Sequence, residues 1–220
     1  MVTMAKAPSF LYLLLLLVAT ARADPEPLDD FCVADPAAAR TSFFNGVPCI
    51  DPARARSSDF FTSVLTTPGN TSANVYGFSA TLTNVTNFPG INTQGLTLAR
   101  VDVAPLGVVP PHTHPRSSEA VVVLQGELLV GFVDTSGRQF SRRIRAMEAY
   151  IFPRGVQHFQ YNPDPVSPVL AIAIFGSQNP GVQFAAATFL SNPPVEVEVV
   201  KRSFAVSAEE AQRIRKSLGG

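Results

Sequence analysis

Histidine is rare in this chain, and its placement is the first feature that points to chemistry. The 220 residues contain three histidines, of which His112 and His114 stand one residue apart and are followed by Glu119. The third, His158, lies in a separate segment. Imidazole nitrogens combined with a carboxylate bind divalent Mn, Fe, Zn or Cu. If His112 and His114 lie on a β-strand, its period of two directs both rings to one face.

We therefore predict that His112, His114, Glu119 and His158 bind one metal ion. Four protein ligands leave two positions of an octahedron for water or substrate, as redox or hydrolytic chemistry at a metal requires. The alternatives are that each histidine is a hydrogen-bonded structural residue, or that His112 and His114 are general bases. No Ser or Cys nucleophile motif, Gly-rich phosphate loop, C-x-x-C or H-E-x-x-H accompanies them.

The N-terminus has the pattern of a secretory signal peptide over residues 1–23. Lys6 precedes an apolar run, and Ala21-Arg22-Ala23 is a small-x-small cleavage sequence. The alternative is a membrane anchor, but the run of about ten residues is well short of the roughly 20 that span a bilayer. Without residues 1–23 the chain has 15 basic and 17 acidic residues, because Lys6 and Arg22 are lost from 17 and 17. We expect no nucleic-acid partner and no membrane span.

Two cysteines and two sequons fit an exported protein. Cys32 and Cys49 are the chain's cysteines, and in an oxidising compartment they predict one local disulfide; two free thiols are the alternative. Asn70 and Asn84 each begin an Asn-x-Thr/Ser sequence and are predicted glycosylation sites.

The elements that must position the histidines are short strands. Residues 24–67 have no long period and predict an irregular arm, stapled by the cysteines. Eight later runs are rich in Val, Ile, Leu and Phe and are separated by turn residues, which predicts an all-β sandwich or barrel. These runs are 75–82, 96–103, 120–124, 127–133, 140–146, 150–152, 157–161 and 169–175. In the second run Arg100 and Asp102 share a face, which predicts an ion pair within the sheet or at its edge.

The C-terminal end predicts a helix over residues 207–218, within a helical extension of about 205–220. Ser207-Ala208-Glu209-Glu210 is a capping box in which Ser207 accepts from first-turn amides and Glu210 bonds back. A lone helix this short is marginal by itself. It must therefore dock on its own barrel or on a neighbouring subunit.

Two segments resemble the signature motifs of the cupin superfamily, and others narrow the resemblance to the germin-like proteins of plants. The cupin-like segments are His112-x-His114-x4-Glu119-x6-Gly126 and Pro153-x-Gly155-x2-His158-x3-Asn162. The germin-like stretches include Asp30-Phe31-Cys32-Val33-Ala34-Asp35, Arg100-Val101-Asp102, Gly126-Glu127-Leu128-Leu129-Val130-Gly131-Phe132 and Ser177-Gln178-Asn179-Pro180-Gly181. The likeness covers essentially the whole chain after residue 23.

This resemblance implies a single cupin domain over residues 24–220: an all-β jelly-roll barrel with the stapled arm and short C-terminal helices. It implies Mn²⁺ held by the three histidines and Glu119, and the bridge Cys32–Cys49. It also implies secretion to the apoplast, with possible cell-wall association, and a homohexamer, a trimer of dimers clasped by C-terminal helices. Family activities are superoxide dismutation, linked to defence or stress, and, for true germins, oxidation of oxalate.

Departures from the family pattern bear on the activity and on two turns. Oxalate-oxidising germins place asparagines where this chain has Ala99 and Val109, so oxalate loses hydrogen-bond donors here. We expect superoxide dismutase activity on a small anionic radical; the alternatives are an oxalate oxidase, or a non-enzymatic, metal-stabilised protein of the wall. Leu106 and Met147 replace motif glycines, and because a bulky residue is strained at positive φ, we expect the turn at Met147 to avoid it.

Overall fold

Two five-stranded antiparallel sheets form the body of the protein. The computed structural model describes residues 31–37 and 46–218; the predicted signal peptide, the arm before residue 31, residues 38–45 and the last two residues lie outside this part. The strands are β1 (Phe78–Leu82), β2 (Thr97–Val103), β3 (Val108–Thr113), β4 (Glu119–Gln125), β5 (Glu127–Val133), β6 (Gln139–Arg145), β7 (Ala149–Phe152), β8 (Gln157–Tyr161), β9 (Val169–Phe175) and β10 (Gln183–Phe184). One sheet has the order β1-β2-β9-β4-β7 and the other β10-β3-β8-β5-β6.

The all-β jelly-roll prediction is confirmed, and each of the eight predicted runs overlaps a strand. Side chains along a strand point alternately to its two faces, and this alternation explains the packing. In β2, Ala99, Val101 and Val103 are buried on the inner face, where they join Val121 and Leu128 in the core. Full burial of one such aliphatic side chain contributes roughly 1.5–3 kcal/mol. The sheets therefore hold together through the residues that alternation directs inward.

The predicted ion pair lies on the outer face of β2. Arg100 Nε is 2.8 Å from Asp102 Oδ2. Arg100 Nη1 also donates to the Leu65 carbonyl at 3.1 Å, and Asp102 Oδ2 accepts from the Gly69 amide at 2.9 Å. The pair thus fastens the segment before β1 onto the sheet.

The arm is irregular, as predicted, and the disulfide Cys32–Cys49 is present. Ala34 and Cys49 form an isolated antiparallel bridge next to it. The remaining arm and loops contain short 3₁₀ helices at Pro52–Arg54, Ser57–Phe60, Val64–Thr66, Thr71–Ala73 and Pro89–Ile91.

The expectation that Met147 avoids positive φ is wrong. Met147 has φ 69° and Leu106 has φ 58°. The turn at Met147 is held by hydrogen bonds from Met147 N to Val123 O at 2.8 Å and from Glu148 N to Arg145 O at 2.8 Å. Both side chains are largely exposed, so the cost is confined to the local backbone, and the turn's hydrogen bonds offset it.

The C-terminal region is more helical than the sequence predicts. Three helices occur in the described part: α1 (Ala187–Leu190), α2 (Val197–Phe204) and α3 (Ala208–Ser217). The extension therefore begins before residue 205. Ser207 Oγ accepts from the Glu210 amide at 3.1 Å as predicted, but the Glu210 carboxylate pairs with Arg213 at 2.7 Å instead of bonding back. The described helices have ten residues at most, and none has the length and apolar character that a bilayer crossing requires.

Candidate metal centre

Three strands from both sheets bring the four predicted ligands together. β3 supplies His112 and, one residue past its end, His114; β8 supplies His158, which is in register with His112. Glu119 opens β4 in the opposite sheet, so the cluster lies between the two sheets. The ligand atoms of all four residues lie within 4.8 Å of one another, and all four residues are buried.

A bulge in β3 shapes this end of the barrel. The register between β3 and β8 shifts between Val109 and His112, where the sequence has Pro110 and Pro111. Proline has no N–H for the ladder and is found at edges and bulges of sheets. Alternation resumes after the bulge: His112 and His114 are buried, and Thr113 between them is less so.

Backbone carbonyls fix the tautomer of each imidazole. His112 Nδ1 donates to Pro110 O at 2.9 Å, and His158 Nδ1 donates to Val156 O at 3.0 Å. His114 Nδ1 donates to Gly181 O. Because a carbonyl only accepts, Nδ1 carries the proton in each ring, and the Nε2 lone pair is free to bind a metal.

The contacts of Glu119 require a cation in the cluster. Its Oε2 is 3.0 Å from His114 Nε2 and 3.1 Å from His158 Nε2. With the protons on Nδ1, these contacts place lone pairs against lone pairs. A metal ion among the four groups, or additional protons on the rings, must compensate this repulsion. The donor set, neutral imidazoles with one carboxylate, fits a divalent transition metal.

The protonation states at neutral pH also suit metal binding. Burial, together with the neighbouring His158, lowers the pKa of His112 to about 4. Burial raises the pKa of Glu119, but hydrogen bonds donated by His114 and His158 outweigh burial and lower the pKa to about 2; in the metal-free protein these bonds require the additional ring protons described above. His112 is therefore neutral and Glu119 ionised near pH 7, and metal ligands must be in these forms.

Aromatic rings shield the cluster from solvent. Phe152 stacks on His158 with ring centroids 4.3 Å apart, and Phe175 meets His114 edge-on at 4.8 Å. Both phenylalanines are the register partners of Glu119 in β7 and β9. Such an apolar shell lowers the local dielectric and strengthens electrostatic interactions within it.

Gln160 is a site residue that our sequence analysis missed. It is 2 % exposed, and its Nε2 donates to Glu119 Oε1 at 2.9 Å. Its own carbonyl oxygen, Oε1, is buried without a hydrogen-bond partner among the described residues. The sequence could have indicated this role, since Gln160 follows His158 by two residues and thus lies on the same face of β8.

Ala99 and Val109, at which we expect a difference from oxalate-oxidising germins, are buried. Ala99 is 1 % exposed and Val109 is 6 % exposed, and both belong to the core cluster. Val109 is in register with Gln160 on the adjacent strand. The predicted glycosylation sites Asn70 and Asn84 are exposed; their modification stays a prediction.

Known proteins are similar to this chain in both sequence and fold. The family model described as Cupin matches residues 63–212. Germin-like protein subfamily 1 member 1 of Arabidopsis thaliana is 48 % identical over 96 % of this chain and 99 % of its own length. Germin-like protein 3-1 of Oryza sativa subsp. japonica is 46 % identical over 98 % of each.

A solved structure of recombinant oxalate oxidase in complex with glycolate superposes with a TM-score of 0.82. Its sequence is 38 % identical, and the match covers 90 % of this chain and 98 % of that one. Taken with the matching domain and the germin-like relatives, this likeness shows that the chain belongs to the germin-like proteins of the cupin superfamily.

Proposed function

We propose that this protein is a secreted, manganese-binding superoxide dismutase of the plant apoplast that produces hydrogen peroxide. The observation that carries the proposal is the pairing of a buried three-histidine, one-glutamate cluster with apolar residues at positions 99 and 109. The first suits a redox metal, and the second disfavours oxalate.

The four clustered side chains would hold the metal. His112, His114 and His158 each offer Nε2, and Glu119 offers Oε2. The bound metal supplies one-electron oxidation and reduction, by which two superoxide anions and two protons become dioxygen and hydrogen peroxide. Imidazole and carboxylate ligands accept several divalent metals, so the choice of manganese rests on the family resemblance.

Gln160 would orient the metal-binding carboxylate. The Gln160 amide donates to Glu119 and thereby holds the carboxylate toward the histidines. Because an ionised carboxylate only accepts, the Gln160 nitrogen must face it, which leaves Oε1 as the atom available to a guest. Water or hydrogen peroxide can donate to this oxygen, whereas neither oxalate nor superoxide carries a proton to donate, so Gln160 does not favour one of these anions over the other.

Oxalate oxidase is the second candidate, because the solved relative is an oxalate oxidase. The side chains at positions 99 and 109 weigh against it. Each missing charge-assisted hydrogen bond costs about 1.5–3 kcal/mol. Ala99 and Val109 offer an oxalate dianion no donor, so two such losses weaken its binding by about 100-fold or more.

The cellular setting and the assembly belong to the same proposal. Secretion is supported by the signal-peptide pattern of residues 1–23 and by the disulfide. Glycosylation at Asn70 and Asn84 is supported by their exposure. A homohexamer and a role in defence or stress rest on the family resemblance. Half-exposed apolar side chains on α2, such as Val199 and Phe204, support burial against a neighbouring subunit.

A paired assay on one preparation tests the activity. The protein is expressed with its signal sequence in a plant host and purified, and its bound metal is quantified. Superoxide removal and oxalate-dependent peroxide release are then measured side by side, for wild type and for the double variant Ala99→Asn with Val109→Asn.

We expect wild type to remove superoxide, with activity proportional to its manganese content, and to release no peroxide from oxalate. The double variant should gain oxalate-dependent peroxide. Substantial oxalate turnover by wild type would overturn the argument from Ala99 and Val109. A metal-loaded wild type that is inert in both assays would favour a metal-stabilised, non-enzymatic wall protein.

A further inference from the structure

The three histidines differ in how their rings are anchored. The carbonyls that hold His112 and His158 belong to residues two positions earlier in the same segments. The carbonyl that holds His114 belongs to Gly181, which is 67 residues away in sequence. The orientation of His114 therefore depends on a remote loop, and something must hold that loop in place.

Arg116 makes the contacts that hold it. Its Nε donates to the Asn179 carbonyl at 2.7 Å, and its Nη2 donates to Asn179 Oδ1 at 2.9 Å. Its backbone amide donates to the Pro180 carbonyl at 3.2 Å. Three donors of one residue thus bind two consecutive residues immediately before Gly181.

Gly181 is fitted to this guanidinium. It has φ +67°, and a Cβ added there would lie 2.8 Å from Arg116 Nη2 and 3.1 Å from its Cζ. The planar guanidinium therefore lies directly against the Gly181 backbone, whose carbonyl receives the His114 Nδ1 proton. Any other residue at position 181 would displace the guanidinium or the loop, in addition to the strain of a positive φ.

We infer that Arg116 is a positioning residue for the metal centre, which acts through Asn179 and Gly181 to fix the ring and tautomer of His114. The inference rests on the proposed metal site and not on the proposed dismutase activity. Both acceptors of the side chain are neutral amide oxygens, so the role depends on the two-pronged geometry of Arg. Lysine keeps the charge but has a single terminal nitrogen.

The test measures the dissociation constant of Mn²⁺ by equilibrium dialysis against the purified protein, after treatment with a chelator. The variants are Arg116→Ala, Arg116→Lys, Gly181→Ala and the double variant Arg116→Ala with Gly181→Ala. Arg154→Ala is the matched control: Arg154 is an exposed arginine that donates to the Pro115 carbonyl beside the same histidines. Thermal unfolding of each chelated protein reports stability separately from binding.

We expect Arg116→Ala, Arg116→Lys and Gly181→Ala each to weaken Mn²⁺ binding by about 10–100-fold, the range found for partners that orient metal ligands. Arg154→Ala should bind as wild type does. The double variant should bind no more weakly than Arg116→Ala, because the two changes break one connection. The ¹⁵N signals of His114 in the chelated variants should show loss of the single Nδ1–H tautomer.

Unchanged Mn²⁺ affinity in Arg116→Ala and Gly181→Ala would overturn the inference. Full rescue by Arg116→Lys would also overturn it, because charge alone would then suffice. If Arg116→Ala does not fold, Arg116→Lys and Gly181→Ala decide by the same criteria. A wild-type protein that binds no Mn²⁺ contradicts the proposed metal site itself, an outcome distinct from a wild type that binds as tightly as its variants.

Discussion

Acid should destabilise the metal-free protein through His112. Burial lowers the pKa of His112 from 6.5 to about 4 in the folded state. Between these two values the unfolded chain binds a proton at His112 that the folded chain excludes. The free energy of unfolding therefore decreases as the pH falls, and this loss of stability is complete below about pH 4.

The expected size follows from the shift. One pKa unit corresponds to about 1.4 kcal/mol, so a shift from 6.5 to about 4 predicts a loss of about 3 kcal/mol between pH 7 and pH 4. For a domain of this length, the midpoint of thermal unfolding should fall by about 10 °C. Glu119, with its pKa lowered from 4.5 to about 2, adds a further loss at lower pH. A bound metal excludes the proton from Nε2, so the loaded protein should resist acid until it releases the ion.

The assay is urea unfolding of chelated protein at pH 7, 5.5 and 4, for wild type and for His112→Asn. Asparagine keeps a donor for the Pro110 carbonyl and removes the titrating group. Wild type should lose stability steeply across this interval, and His112→Asn should lose about 3 kcal/mol less. An equal loss in both proteins would refute the assignment to His112, and so would no loss in wild type.

Three further substitutions test structural features outside the metal site: a turn, the disulfide and an ion pair. Met147→Gly should stabilise the protein by about 0.5–1 kcal/mol in urea unfolding, because glycine tolerates the φ of 69°, whereas Met147→Ala keeps the strain and should give no gain. Replacing both Cys32 and Cys49 by Ser should cost about 3 kcal/mol, since the bridge closes a 17-residue separation; an unchanged unfolding midpoint would show that the bridge does not contribute to stability. Asp102→Ala should cost about 2 kcal/mol because it leaves the mostly buried Arg100 side chain and the Gly69 amide without their acceptor, and a value near zero would show that solvent replaces these contacts.

Alternation and histidine spacing made the barrel and its four clustered side chains predictable. Both depend on local geometry: a strand places every second residue on one face, which explains the inner face of β2 and the pair His112 and His114. His158 meets His112 through the register between β3 and β8, and Glu119 meets the histidines from the opposite sheet; neither arrangement has a local cause in the sequence. The partners that orient the rings depend on tertiary contacts, and the link from Arg116 to Gly181 has no local signal.

The incorrect expectations also have physical causes. The turn at Met147 was judged on local steric cost alone, which is about 1–2 kcal/mol, whereas backbone hydrogen bonds from two neighbouring segments hold it. The helix α2 was missed because its valines are β-branched and have low helix propensity. Packing supplies what propensity lacks, since α2 and α3 are in contact and bury Val200 and Ala211.

The metal content of purified protein tests the central claim most directly. Wild type, His158→Ala and the surface control Gln157→Ala are purified in parallel and analysed for bound metal, and their folding is checked by thermal unfolding. We predict one manganese ion per chain in wild type and in Gln157→Ala. His158→Ala should bind manganese more than about 100-fold more weakly, beyond the range of an outer-shell change. A folded His158→Ala protein with the metal content of wild type would contradict the four-residue site.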